Sequence, residues 1–166
     1  MRNLIAVPVI LLSLILQSAV VGQVYLLSGI ADLPLVMLAA WALQEEVESA
    51  WHWAAALGLV VGFVSAIPWY VPVVSYLFMV AVAQMLQRRV WQAPLLAMFS
   101  VTFFGTLILY GFSFTVLRIG GVPLPLEDVL GLVVLPGVLM NLLLAIPVYA
   151  IMRDLSRWVY PTPEVE

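Results

Sequence analysis

The chain has 166 residues, of which 65% are hydrophobic and only 9% charged; the mean hydropathy is +1.16 and the formal charge −3. That balance excludes a soluble domain, because too few polar residues remain to cover the apolar ones. The chain contains no cysteine, which excludes disulfide and thiol chemistry. The reading is an all-α integral membrane protein, one domain over 1–166, with six helices joined by short loops. No repeat or low-complexity tract interrupts it.

Arg2 precedes an apolar run broken only by Pro8, Ser13, Gln17 and Ser18. The run is longer than a usual signal-peptide core, so it is read as a retained helix one over about 4–27. Residues 28–32 read as a tight outer turn in which Asp32 caps helix two, 33–43. Helix three covers 53–67 and ends at Pro68. These two helices reach only about 17–22 Å each, short of the roughly 30 Å hydrocarbon core. The intervening segment 44–52 carries Glu45, Glu46, Glu48 and His52 and has to reach water. Tryptophans flank the short spans, and some bilayer thinning would accommodate them.

Helix four covers 73–87 and is closed by Arg88 and Arg89. Helix five covers 93–117 and ends on Arg118, Gly120 and Gly121, a cation and glycines that suit a helix C-terminus. Pro123 and Pro125 break the chain before helix six, 129–152. That last run is uncharged and long enough to span, with Glu127 and Asp128 at its start and Arg153 and Arg157 at its end. With six spans, Arg2, Arg88, Arg89, Arg153 and Arg157 share one side and Arg118 lies opposite. The positive-inside rule then puts both termini in the cytoplasm. Trp41, Trp51, Trp53, Trp69, Trp91 and Trp158 fall near span ends, as an interfacial aromatic belt would.

No acid or base stands well inside a predicted span, which argues against proton relays and ion paths. His52 beside Glu48 is too sparse a set for a metal site, and no nucleophile–base constellation or phosphate loop is present. The chain therefore reads as neither an enzyme nor a metal- or cofactor-binding protein, and no nucleic-acid partner is expected. Packing signals are clearer. Ala54, Gly58, Gly62 and Ala66 recur every four residues, as do Gly137, Asn141 and Ala145, so each set forms a stripe on one helix face. Gly58, Gly62, Gly137, Asn141 and Ala145 are thus candidates for helix packing or for contact with a partner. Gln17, Gln84 and Asn141 offer isolated amides, too few to define a solute cavity. An interhelical bond from such an amide is worth only about 0.6 kcal/mol on average.

The run Asp32-Leu33-Pro34-Leu35 through Trp41-Ala42-Leu43, then Gly62-Phe63, then Arg88-Arg89, resembles the MreD family of rod shape-determining membrane proteins. Leu135-Pro136-Gly137-Val138-Leu139-Met140-Asn141, Pro147-Val148-Tyr149 and Arg153 continue the likeness over essentially the whole chain. Ala66 and Trp69 stand where the family often has a glycine and an acid. The resemblance implies a six-helix fold similar to the S subunits of energy-coupling-factor transporters. It also implies a non-enzymatic subunit of the cell-elongation machinery in the bacterial cytoplasmic membrane. The implied partners are MreC, MreB, and the SEDS glycosyltransferase with its class B penicillin-binding protein, in contact with membrane lipid. The alternative is a substrate-binding S-type subunit of a vitamin importer, which would need polar groups converging on an outer cavity.

Overall fold

The computed structural model describes residues 6–45, 47, 49–87 and 93–160. Six helices account for most of them: α1 Ala6–Ala19, α2 Leu33–Ala42, α3 Ala50–Val64, α4 Tyr70–Gln87, α5 Pro94–Ile119 and α6 Leu126–Val159. Of these, α4, α5 and α6 are long and apolar enough to cross a membrane. The paired arginines Arg88 and Arg89, together with Arg2, Glu46, Glu48 and Trp91, lie outside the described residues.

Helix one is shorter than expected. It stops at Ala19, and the chain then makes a 3-10 turn, Val21–Gln23, and a two-stranded antiparallel hairpin. The strands are β1 Tyr25–Leu26 and β2 Gly29–Ile30, paired Tyr25 with Ile30 and Leu26 with Gly29. The two-residue turn puts Leu27 at φ 55°, a left-handed conformation that disfavours any residue with a Cβ. The hairpin folds back onto α6, where Gly29 meets Pro136 and Gly137 so closely that a side chain at Gly29 would not fit.

A proline in α6 makes that docking possible. Pro136 has no N–H to give the carbonyl of Leu132, four residues earlier, and its ring crowds that carbonyl. The helix responds with a π-helical stretch, Val129–Val134. The Leu132 carbonyl accepts instead from the Ser28 N–H at 3.0 Å, so the gap in α6 is closed by the hairpin turn.

Helix α2 is the centre of the molecule. Every residue in it except Met37 is buried, and it packs against α1, α4, α5 and α6. Asp32 caps it by accepting from the Leu35 N–H at 3.0 Å, and Pro34 stands in its first turn, where no N–H is needed. Trp41 is only 1% exposed and stacks on Trp53 with ring centroids 4.7 Å apart. These two tryptophans are core residues, whereas Trp51, Trp69 and Trp158 stay exposed. The aromatic-belt reading therefore fails for Trp41 and Trp53.

Candidate functional site: a buried carboxylate beside a cavity

The small-residue stripes lie inside the bundle. On α3, a Cβ at Gly58 would fall 2.6 Å from the Val73 Cα, and one at Gly62 would fall 2.6 Å from the Trp69 carbonyl oxygen. Glycine at both positions lets the α3 backbone lie directly against the start of α4. Ala66, the last member of that stripe, lies past the helix end and is exposed. On α6, Gly137 faces the Tyr110 ring and hydroxyl, Ala145 is fully buried in the core, and Asn141 is fully buried between them. All five candidate residues have neighbours from this chain.

Asn141 leads to a feature that the sequence reading missed. It lies about 22 Å along α6 from its start, near the middle of that helix. Its Oδ1 accepts from the Asp32 backbone N–H at 2.6 Å, and its Nδ2 donates to the Thr106 hydroxyl at 2.8 Å. The Thr106 hydroxyl donates in turn to the Thr102 carbonyl at 2.7 Å. From the other side, Gln17 accepts from the Leu33 N–H and donates to the Ala31 carbonyl, both at 2.8 Å. The Tyr76 hydroxyl is 3.1 Å from each oxygen of the Asp32 carboxylate, and the Tyr110 hydroxyl donates to the Ile30 carbonyl at 3.1 Å.

Residues 28–32 are therefore not a free turn at a helix end: Gly29 and Ala31 are buried against the bundle, while Ser28 and Ile30 stay exposed. The hairpin carries Asp32 inward, so α2 begins at mid-bundle and runs only half its height. Asp32 does cap α2, as expected, but level with the middle of α6 and with its carboxylate on the Tyr76 hydroxyl. Asp32 lies just before the predicted span 33–43, so a search confined to the spans passes over it. Gln17 and Asn141 are not isolated amides either; they hold the two flanks of the segment that presents Asp32. Gln84 differs, because it accepts from the exposed Trp51 indole at 2.9 Å. Tyr76, Thr106 and Tyr110 carried no sequence signal beyond being polar side chains in apolar helices.

Asp32 is partly exposed because it borders a cavity of about 370 Å³ between the end of α3, the start of α4, the second half of α5 and the π-helical part of α6. Its wall is mainly apolar, with Val61, Leu109, Phe114, Leu117 and Val133 among the lining residues. Ser65, Tyr110 and Ser113 are the hydroxyl-bearing residues along it. The Ser65 hydroxyl is buried and has no hydrogen-bond partner among the described residues. His52 and Glu45 are exposed at the far end of the bundle, and the described residues contain no His/Cys/Asp/Glu group able to hold a metal ion. The chain matches no protein-family model, no curated protein and no solved structure.

Proposed function

We propose that this chain is a multi-pass scaffold subunit of the bacterial cell-elongation machinery, an MreD-like protein that holds its partners without performing chemistry. In this reading all six helices form one bundle in the cytoplasmic membrane, both termini lie in the cytoplasm, and MreC is the direct partner. MreB, the SEDS glycosyltransferase and its class B penicillin-binding protein are engaged directly or through MreC. The order and spacing of the apolar motifs support the family assignment. The observation that carries the scaffold role is the outer face of α1. Val7, Leu11 and Ile15 recur every four residues and are each more than half exposed, on a helix that rests mainly on α2. In a bilayer such a face meets either lipid or another spanning helix, and here it is assigned to the spanning helix of MreC.

The test is disulfide or photo-crosslinking from Leu11 and Ile15 in living cells, with a deletion strain in parallel. The expected result is a crosslink to MreC from these positions, none from the buried Ala145, and rounding of cells that lack the chain. Rod-shaped deletion cells, with no MreC recovered on the chain, would overturn the proposal.

A second reading has one observation in its favour. The cavity beside Asp32 has the size of a small-ligand site and gathers a carboxylate and three hydroxyl-bearing residues in an apolar wall. A small-solute-binding subunit of an importer would have such a cavity. Recovery of a transporter ATPase in place of MreC would select this reading.

A further inference from the structure

We propose that the cavity beside Asp32 is a binding site for a small, mainly apolar organic ammonium, a protonated amine carried on a hydrocarbon or aromatic body. The proposal deepens the second reading by naming its ligand class, yet it rests only on the cavity, so the site stands even if no importer is involved.

The argument begins with where the hydroxyl hydrogens go. Tyr76 gives its hydrogen to the Asp32 carboxylate, Tyr110 to the Ile30 carbonyl, and Ser113 to the Leu109 carbonyl at 2.6 Å. What Tyr110 and Ser113 have left to offer the cavity is lone pairs. Asp32 is in the same position. Its Oδ1 accepts from the Leu35 N–H and from Tyr76, while its Oδ2 shares only the Tyr76 hydroxyl, which leaves acceptor sites on that oxygen unused. The Ser65 hydroxyl, buried and without a partner among the described residues, is closed off from the cavity space and adds no donor to it. The polar part of the wall is therefore rich in acceptors and poor in donors. Its chemical complement is a group with several donors and no acceptor, which describes an ammonium.

Charge points the same way. Among the described residues the one ion pair is Arg153–Asp154, at the other end of α6. The cation nearest the cavity, Arg118, is engaged by two residues of the wall: its guanidinium lies 5.7 Å from the Phe114 ring centroid and donates to the Leu124 carbonyl at 3.3 Å, and it makes no ion pair with Asp32. Among the described residues Asp32 has no ion-pair partner, and a carboxylate in so apolar a setting gains most from a positively charged one. Size excludes a bare metal ion as the natural fit. A cavity of about 370 Å³ with walls of Val61, Leu109, Phe114, Leu117 and Val133 has room and apolar surface for a carbon skeleton.

The test is equilibrium dialysis of the full chain in lipid nanodiscs, with binding to empty nanodiscs subtracted. The probes are phenethylammonium, its neutral isostere phenethyl alcohol, and phenylacetate. The expected result is saturable binding of the ammonium, about tenfold or more weaker binding of the alcohol, and none of the carboxylate. Asp32→Asn keeps the α2 cap, because asparagine also caps well, and should erase the preference for the ammonium over the alcohol. Val133→Phe leaves Asp32 untouched and fills the cavity, so it should abolish binding of both. Absence of saturable ammonium binding to the wild-type chain would overturn the proposal. So would equal affinity for ammonium and alcohol, or an ammonium preference that survives in Asp32→Asn. Loss of ammonium binding on adding sodium at equal ionic strength would also overturn it, by reassigning the carboxylate to a metal cation. Binding that passes these tests, without any transporter ATPase recovered on the chain, would keep the site and reject the importer reading.

Discussion

Asn141 shows how much a single amide contributes when both of its ends are used. Truncating it to leucine keeps the size of the side chain but leaves the Asp32 N–H without its partner, while the Thr106 hydroxyl loses a donor and keeps its bond to the Thr102 carbonyl. An orphaned N–H costs about 1–3 kcal/mol, above the roughly 0.6 kcal/mol average for interhelical bonds in membranes. Asn141→Leu should therefore lower the unfolding midpoint of the purified protein markedly. Gln84→Leu, whose partner is an exposed indole, should change stability by no more than about 0.5 kcal/mol. Equal effects of the two substitutions would contradict this account of the polar network. Tyr76→Phe removes the hydroxyl that serves both oxygens of Asp32 and should cost about 1.5–3 kcal/mol, the usual range for a bond to a charged group. If Asp32 were instead well hydrated, Tyr76→Phe would be nearly silent in the same melt.

At the scale of elements, the hairpin decides the architecture, and it was the part least legible in the sequence. Residues 20–27 include Val20, Val21, Val24, Leu26 and Leu27, an apolar stretch that reads naturally as more of helix one. Nothing local in it announces two short strands. The reason they form lies 100 residues away, in the carbonyl of Leu132 that Pro136 leaves without its helical donor. Pro136 was visible as an interruption, but its consequence depends on what packs beside it. The glycine stripe on α3 was legible because its spacing alone puts Gly58 and Gly62 on one face. Asp32 was legible as a cap and not as an interior group, since a cap has the same sequence signature at any depth. Two outcomes follow for these elements. Gly62→Leu drives a side chain into the Trp69 backbone, which has no rotamer to yield, and should sharply reduce the amount of folded protein in the membrane. Leu27→Gly relieves a left-handed leucine and should raise stability by about 1 kcal/mol, measured as a higher thermal midpoint. Leu27 is 63% exposed and Tyr25 70%, so the hairpin tip keeps an apolar residue where glycine would be easier to accommodate. If that residue serves a partner, Leu27→Gly should also weaken recovery of MreC while the chain itself becomes more stable.

For the whole molecule, the described contacts sort the helix ends into two groups, and the sorting makes the proposed orientation testable. The Gln87 side chain donates to the Gln44 carbonyl at 2.7 Å, the Ser156 hydroxyl lies 3.4 Å from the Gln44 side-chain oxygen, and Tyr160 sits against Trp41. The segment after α2, the end of α4 and the end of α6 therefore share one end of the bundle. Arg153 and Arg157 belong to that end. The opposite end holds the close of α3 against Trp69, the last turn of α5 with Arg118, and the start of α6 with Glu127 and Asp128. Arg153 and Arg157 at the first end against Arg118 at the second give, among the described residues, the arginine asymmetry that fixes orientation during insertion. In a chain without native cysteine, single cysteines at Ser49 and Gln87 should react with an impermeant maleimide only after the cytoplasmic side is opened. A cysteine at Gly120, exposed where α5 ends, should react in intact spheroplasts. The cavity beside Asp32 lies between the middle of the bundle and this second end, so the same orientation opens it toward the outer face. Labelling of Ser49 and Gln87 from outside, with Gly120 protected, would invert the bundle and place the cavity on the cytoplasmic side. Labelling of Ser49 and Gln87 from opposite sides would contradict the shared end itself, because the Gln44–Gln87 bond requires the two segments to meet.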